Sequence, residues 1–158
     1  MQRAIFDPAH QATLDLATDI VPRPENILDI GCGTGRLLRR AHTYWPDAIL
    51  LGMDPAKGMI EKANQLNPTA TFFLGMGEAI PLPDASVDLA LSIVSFHHWQ
   101  DQAAGVSEVA RVLRPGGCFI LVDISFPGWL VGVFRPKRFH SPAQMRALFI
   151  QAGLHIQA

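Results

Sequence analysis

The chain has 158 residues, 13 Lys and Arg against 14 Asp and Glu, a net charge of -1 and 49% apolar residues. That length carries one domain, residues 1–158, with a real core, and is too short for two ordinary ones. The near balance of charge, with one basic run (RPKRFH, 135–140), argues against nucleic acid as an electrostatic partner, and no apolar run approaches the roughly 20 residues of a membrane span.

At the N-terminus, MQRAIFDPAHQ has no basic stretch followed by a long apolar one, so no secretory signal and a cytoplasmic location are the expectation. Asp7 and Pro8 read as an N-cap and first-turn pair, opening a helix over about 8–20 with Leu14, Ala17 and Val21 on one face. NILDI (26–30) is the first strand, followed by a glycine loop and a helix over 34–44 through Leu37, Leu38 and Ala41. AILLGMD (48–54) is the second strand, after which Pro55 opens a helix carrying Met59, Ile60, Ala63 and Leu66. ATFFL is the third strand and VDLALSIV the fourth; a helix over 102–113 then leads to RPGG, read as a sharp turn into the fifth strand, CFILVDI. Ser141 and Pro142 open a last helix that Gly153 closes, and LHIQA begins a further strand.

Apolar strands alternating with helices predict an α/β, doubly wound, mostly parallel sheet with helices on both faces. Ligands of such folds bind in the crevice at the C-terminal ends of the strands. The positions to read for chemistry are therefore Gly31 to Gly35, Asp54, Gly75 to Glu78, and Ser92 to Trp99.

Gly31, Gly33 and Gly35 alternate in the first of these loops. Glycine permits positive φ and removes the Cβ that would hold a ligand away, so the loop is read as a site of close approach, with a tight strand-to-helix turn as the plainer alternative. The dinucleotide pattern G-x-G-x-x-G fails at Arg36, and no Lys-Ser or Lys-Thr follows as a P-loop requires. Asp54 ends the second strand where an acidic side chain accepts hydrogen bonds from a ribose diol, although it also suits a helix N-cap.

At these residues the chain resembles the class I S-adenosylmethionine-dependent methyltransferases, in particular the small-molecule group that includes the ubiquinone and menaquinone biosynthesis enzymes, over about residues 8–155. LDIGCGTG, GMDPAKGMIEKA, GMGEAIPLPDASVDLALS and RVLRPGG are similar to four of the family's motifs, in order. The resemblance implies S-adenosyl-L-methionine as cofactor and S-adenosyl-L-homocysteine as product. It implies Asp29 near the methionine end, with Gly31, Cys32, Gly33 and Gly35 beneath the cofactor. Asp54 would lie on the ribose hydroxyls, and Met53, Pro55 and Met59 beside the adenosine, with Ser92 and Ile93 completing the set. The family's aspartate on the adenine amino group aligns with Met76, a weak acceptor at best, so adenine recognition is expected from backbone at Met76 and Gly77, with Glu78 as a substitute.

Methyl transfer needs alignment, exclusion of water and, for some nucleophiles, a base. His98 and His97, in SFHHW after the fourth strand, are the candidate bases, each weighed against a packing role. Adjacent histidines without a third partner chelate poorly, so no metal is expected, and Cys32 and Cys118, without CxxC spacing, read as free thiols. FPGWLVGVFRPKRFHS (126–141) reads either as a lid walled by Trp129, Leu130 and Phe134 over an apolar acceptor, with Arg135, Lys137 or Arg138 attracting an acidic group, or as a core helix.

The family's reversed C-terminal strand is not supplied by these residues: either the sequence is a fragment, or a partner or an exchanged segment covers the exposed fifth strand, and the second leads to the expectation of a homodimer. Three functions stand at this point. The first is methyl transfer to a small, hydrophobic or aromatic acceptor. The second is a non-catalytic cofactor-binding or regulatory module, and the third a nicotinamide-dependent oxidoreductase, which Arg36 disfavours.

Overall fold

In the computed structural model the described residues are 2–124 and 141–157, with side chains from Asp7 onward. The elements are α1 (Gln2–Ile20), β1 (Asn26–Ile30), α2 (Arg36–Tyr44), β2 (Ile49–Asp54), α3 (Lys57–Leu66), β3 (Ala70–Leu74), β4 (Val87–Ile93), a 3-10 turn (Phe96–His98), α4 (Gln102–Val112), β5 (Leu113–Val122) and α5, which spans Pro142–Gln151. The strands form one sheet in the order β3-β2-β1-β4-β5 with every strand pair parallel. This is the expected doubly wound sheet, and the order reverses between β1 and β4, where such folds open their ligand crevice.

Side chains alternate across the pleat and build two cores. Ile27, Leu89 and Leu91 pack with Leu14, Leu38 and Ala63 from α1, α2 and α3, while Leu28, Ile30 and Ala90 pack with Val106, Val109 and Val112 of α4. Burial on both faces is why these strands read as continuous apolar runs.

Four boundaries depart from the sequence reading. The first helix does not start at Pro8 but runs from Gln2 through it. Asp7 is drawn from a capping role into a tertiary one: it binds Arg36 at 2.6 Å, and Arg40 donates to its carbonyl at 3.1 Å. The pairing continues along the helices, Arg40 to Gln11 and Tyr44 to Asp15, so α1 and α2 run side by side in the same direction. α3 begins at Lys57 rather than Pro55, because the Asp54 carboxylate holds the Ala56 amide at 2.8 Å in a turn ahead of the helix. RPGG is not a turn before β5 but lies within it. Leu113 pairs with Val87 and Cys118 with Leu89, so β5 carries extra residues between those two pairings, a bulge in which Gly116 takes φ 82°.

The last departure is LHIQA. Gly153, at φ 80°, closes α5 as read, and Ser141 makes the full capping box with Gln144, but residues 154–157 form no strand. Of the segment read as a lid, residues 126–140, with Trp129, Leu130, Phe134, Arg135, Lys137 and Arg138, lie outside the described residues. No described helix is long and apolar enough to cross a membrane.

Candidate active site

The crevice is assembled by main-chain bonds between strand ends. The carbonyl of Met53 accepts from the amides of Gly31 at 2.8 Å and Cys32 at 3.0 Å, fastening the glycine loop to the tip of β2. Asp54 then takes the Gly33 amide at 3.0 Å on Oδ2 and the Ala56 amide on Oδ1. On the other side, Ser95 Oγ donates to the Ile30 carbonyl at 2.8 Å and lies 2.8 Å from Ser92 Oγ, tying the loop after β4 to β1.

The three loop glycines turn out to serve different needs. All have positive φ, 78°, 53° and 72° in order, which side chains seldom adopt. A Cβ on Gly31 would lie 2.4 Å from Ser95, and one on Gly35 would lie 2.6 Å from Phe72 and Asn67, so these two are demanded by the protein's own packing. Only the Cβ position of Gly33 faces open space. Of the three, Gly33 alone fits the reading that glycine clears room for a ligand.

Two carboxyls flank this space. Asp29 is 3% exposed, and burial, followed by the nearby charge of Asp54, pushes its pKa up to about 7. Burial, with both aspartates, also drives the Cys32 thiol well above its ordinary value, leaving it a packing group whose Sγ approaches the Gly33 carbonyl at 3.7 Å. A carboxyl whose pKa is raised by burial and by a second carboxylate is one whose ionised form a bound cation favours.

The remaining predicted residues divide by exposure. Pro55, Met59, Met76 and His98 are exposed around the mouth. Met53, at 0%, and Ser92, at 0%, are enclosed; Ile93 and Cys32 are both 8% exposed. Met53 therefore serves the site through its carbonyl, with its side chain in the core. Gly77 is covered by Trp99, whose ring would lie 2.7 Å from an added Cβ and is also seated on Gly105. Glu78 is committed elsewhere: Oε1 accepts the amides of Gln100 and Asp101, the latter at 3.0 Å. It buckles the β3–β4 connection to the loop carrying the histidines.

His97 and His98 sit on the 3-10 turn, with ring centroids 4.0 Å apart. Val94, two residues before the turn, has φ 52°, a strained value for a β-branched residue, and its amide is held by the Val122 carbonyl at 2.7 Å. The strain throws the chain out of β4 so that Ser95 meets β1 and His97 meets Asp123. His97 Nδ1 lies 2.6 Å from Asp123 Oδ1, and its amide donates to Oδ2 at 2.8 Å.

Asp123, Ser95 and Trp99 were given no individual role from the sequence. Asp123 had a legible signal, an acidic residue at the C-terminal end of the fifth strand, the rule that picked out Asp54 on the second. Among the described residues no three metal-ligating side chains gather.

The model of a family described as "Methyltransferase domain" matches residues 28–121, more than half of the chain. This chain belongs to that family. An uncharacterized methyltransferase of Mycobacterium bovis is 42% identical over 96 residues, covering 61% of this chain and 38% of that one. A malonyl-[acyl-carrier protein] O-methyltransferase of Dechloromonas aromatica is 32% identical over 145 residues, 83% of this chain and 52% of the other. The chain thus spans about half, or less, of the length of these curated relatives. The solved YcgJ protein of Bacillus subtilis superposes with a TM-score of 0.81 at 29% identity, covering 94% of this methyltransferase-family chain and 70% of its own. The sheet order, the crevice and the family agree with the class I S-adenosylmethionine-dependent group.

Proposed function

We propose that this chain transfers a methyl group from S-adenosyl-L-methionine to a small, hydrophobic or aromatic acceptor, leaving S-adenosyl-L-homocysteine. The observation that carries the reading is the pair of carboxyls, Asp29 and Asp54, on either side of a loop whose Gly33 faces open space. The residues fit the cofactor. Asp54 spends its two oxygens on two amides and retains further lone pairs for a ribose diol, while Asp29 gains from a neighbouring ammonium. When bound, the cofactor supplies an activated methyl group, so the protein's task is orientation, dryness and proton handling.

Named residues serve orientation and dryness. The Gly31–Met53 and Gly33–Asp54 bonds hold the loop in a fixed shape before any ligand arrives. Glu78 and Trp99 lock the adenine-side loop to the histidine loop. Ile124, 48% exposed and next in the chain to Asp123, offers apolar surface on the acceptor side.

The commitment of Glu78 to Gln100 and Asp101 favours a second reading. Beside the exposed Met76 there is then no carboxylate dedicated to the adenine amino group, which suits a weak binder or a non-catalytic module of the same fold. The name of the Dechloromonas relative supports a third reading, in which the acceptor is a malonyl group on an acyl-carrier protein.

Calorimetric titration with S-adenosyl-L-homocysteine, with NADH in parallel, tests the proposal. Saturable binding of the first alone, weakened by about tenfold or more in Asp54→Ala, is the expected result. Absence of binding would leave the module reading ahead, and binding of NADH alone would overturn both.

A further inference from the structure

Asp123 is the carboxylate that meets the histidine turn. Its side chain is 4% exposed, against 13% for His97, and three groups converge on it: His97 Nδ1 at 2.6 Å, the His97 amide at 2.8 Å and the Ile124 amide at 2.7 Å. A carboxyl that receives two amide protons is an acceptor on both oxygens, so the Nδ1 contact is made with the proton on the ring. With that proton on Nδ1, the ring nitrogen left to act on an acceptor is Nε2.

The clamp is more than a packing contact. The His97 amide and ring bind the same carboxylate, so both the turn's main chain and the ring's rotation are referred to the end of β5. The same strand end is joined to β4 through Val94 and Val122, and Ser95 ties the turn's start to Ile30 of β1. A ring held from three strands is oriented before a substrate arrives. A methyl acceptor that is already an anion has no use for such a ring. An acceptor with a proton on its nucleophilic atom does.

We infer that Asp123 is a positioning residue that sets His97 Nε2 as the base for a protic acceptor, an aromatic hydroxyl or amine, rather than a carboxylate. This rests on the methyltransferase reading above. In the step, the acceptor's O–H or N–H bond would break and its proton pass to Nε2, while the electron pair left on the acceptor atom forms the bond to the methyl carbon as the methyl–sulfur bond breaks and S-adenosyl-L-homocysteine leaves with that bond's electrons. Asp123 accepts the Nδ1 proton's hydrogen bond throughout and does not itself change protonation.

Two measurements on the full chain test this. Ring ¹⁵N chemical shifts of wild-type protein at neutral pH should show His97 protonated on Nδ1, and Asp123→Asn should mix the tautomers. A ring protonated on Nε2 in the wild type overturns the assignment without any turnover. Release of S-adenosyl-L-homocysteine is then followed with catechol, aniline and malonate monomethyl ester as acceptors. The expected result is transfer to catechol or aniline, with Asp123→Asn lowering kcat about 10²-fold at little changed KM and unchanged S-adenosyl-L-homocysteine affinity. Turnover of the carboxylate alone, or of none of the three, overturns the acceptor class, as does a wild-type kcat in Asp123→Asn. Loss of S-adenosyl-L-homocysteine binding by the wild type would instead sink the methyltransferase reading itself.

Discussion

Asp54 Oδ2 accepts the Gly33 amide proton at 3.0 Å, closing the gap between the tips of β2 and β1. The carboxylate thereby shapes the glycine loop as well as facing it. Asp54→Ala removes the acceptor of two amides, and hydrogen bonds to a charged group contribute about 1.5–3 kcal/mol each. Affinity for S-adenosyl-L-homocysteine should fall by about tenfold or more. Asp54→Asn, which keeps one oxygen, should fall between the two. Calorimetry on the three proteins reads this directly, and equal affinities would show that neither loop shape nor ribose contact depends on the charge.

The raised pKa of Asp29 makes the ligand-free protein pH-sensitive. In the unfolded chain this carboxyl ionises at its ordinary 3.8, and in the folded one at about 7. Between those values the folded state holds a proton that the unfolded state has lost, so this group's contribution is full below pH 3.8 and is lost as pH rises through 7. Asp29→Asn stays neutral throughout. At pH 8 the ligand-free variant should exceed wild type by on the order of 2–4 kcal/mol in urea unfolding, with the gap closing as pH falls toward 4.

The same carboxyl predicts a proton on the move. A cationic amino group beside Asp29 favours its ionised form, so binding of S-adenosyl-L-homocysteine at pH 6 should release a proton. Titrations in buffers of different ionisation enthalpy would reveal it as a buffer-dependent heat. A buffer-independent heat at pH 6 in wild type would mean that the amino end lies elsewhere.

Substitution should separate the loop glycines. Gly31→Ala places a Cβ 2.4 Å from Ser95 at φ 78°, and it should destabilise by more than the roughly 1–2 kcal/mol that a left-handed conformation costs alone. Ser95→Gly should recover part of that loss in the double variant. Gly33→Ala meets no protein atom and should fold with only the conformational cost, yet weaken S-adenosyl-L-homocysteine binding. Unaltered binding by Gly33→Ala would move the ligand off this part of the loop.

Arg111 is the structural hub outside the crevice. It donates to the carbonyls of Ile80 and Leu82, both at 2.9 Å, and pairs with Glu108 and Asp84, while Glu108 takes the Ile80 amide. Arg111→Ala frees the IPLPD segment and leaves Glu108 without its cation. With the arginine side chain 31% exposed, solvent screening limits the expected loss to about 1–2 kcal/mol in urea unfolding. Lys57→Ala, which breaks an ion pair 80% and 61% exposed, should cost less than about 0.5 kcal/mol. Equal effects would mean that the carbonyl clamp contributes nothing.

The sheet was legible because its information is local. Runs such as NILDI and VDLALSI, buried on both faces, announce strands of a parallel sheet, and Ser141-Pro142 with Gly153 brackets the last helix through cap chemistry that acts within one turn. The candidate site loops were legible for the same reason: Gly31, Gly33, Gly35 and Asp54 lie at strand ends, and the strand ends were readable.

What the glycines are for was decided elsewhere. Gly31 answers to Ser95 and Gly35 to Phe72, partners distant in the chain, and only the folded arrangement leaves Gly33 as the open one. Pro8 inside α1 and RPGG inside β5 follow the same rule, since Arg36 recruits Asp7 across two helices and β4 holds β5 on both sides of its bulge. Local spacing thus determined the elements, their order and the strand ends at which chemistry would gather. The tertiary structure alone decided that Asp123 meets His97 and that burial, with the charge of Asp54 beside it, raises the pKa of Asp29, because both depend on long-range contacts and shared burial that sequence spacing does not encode.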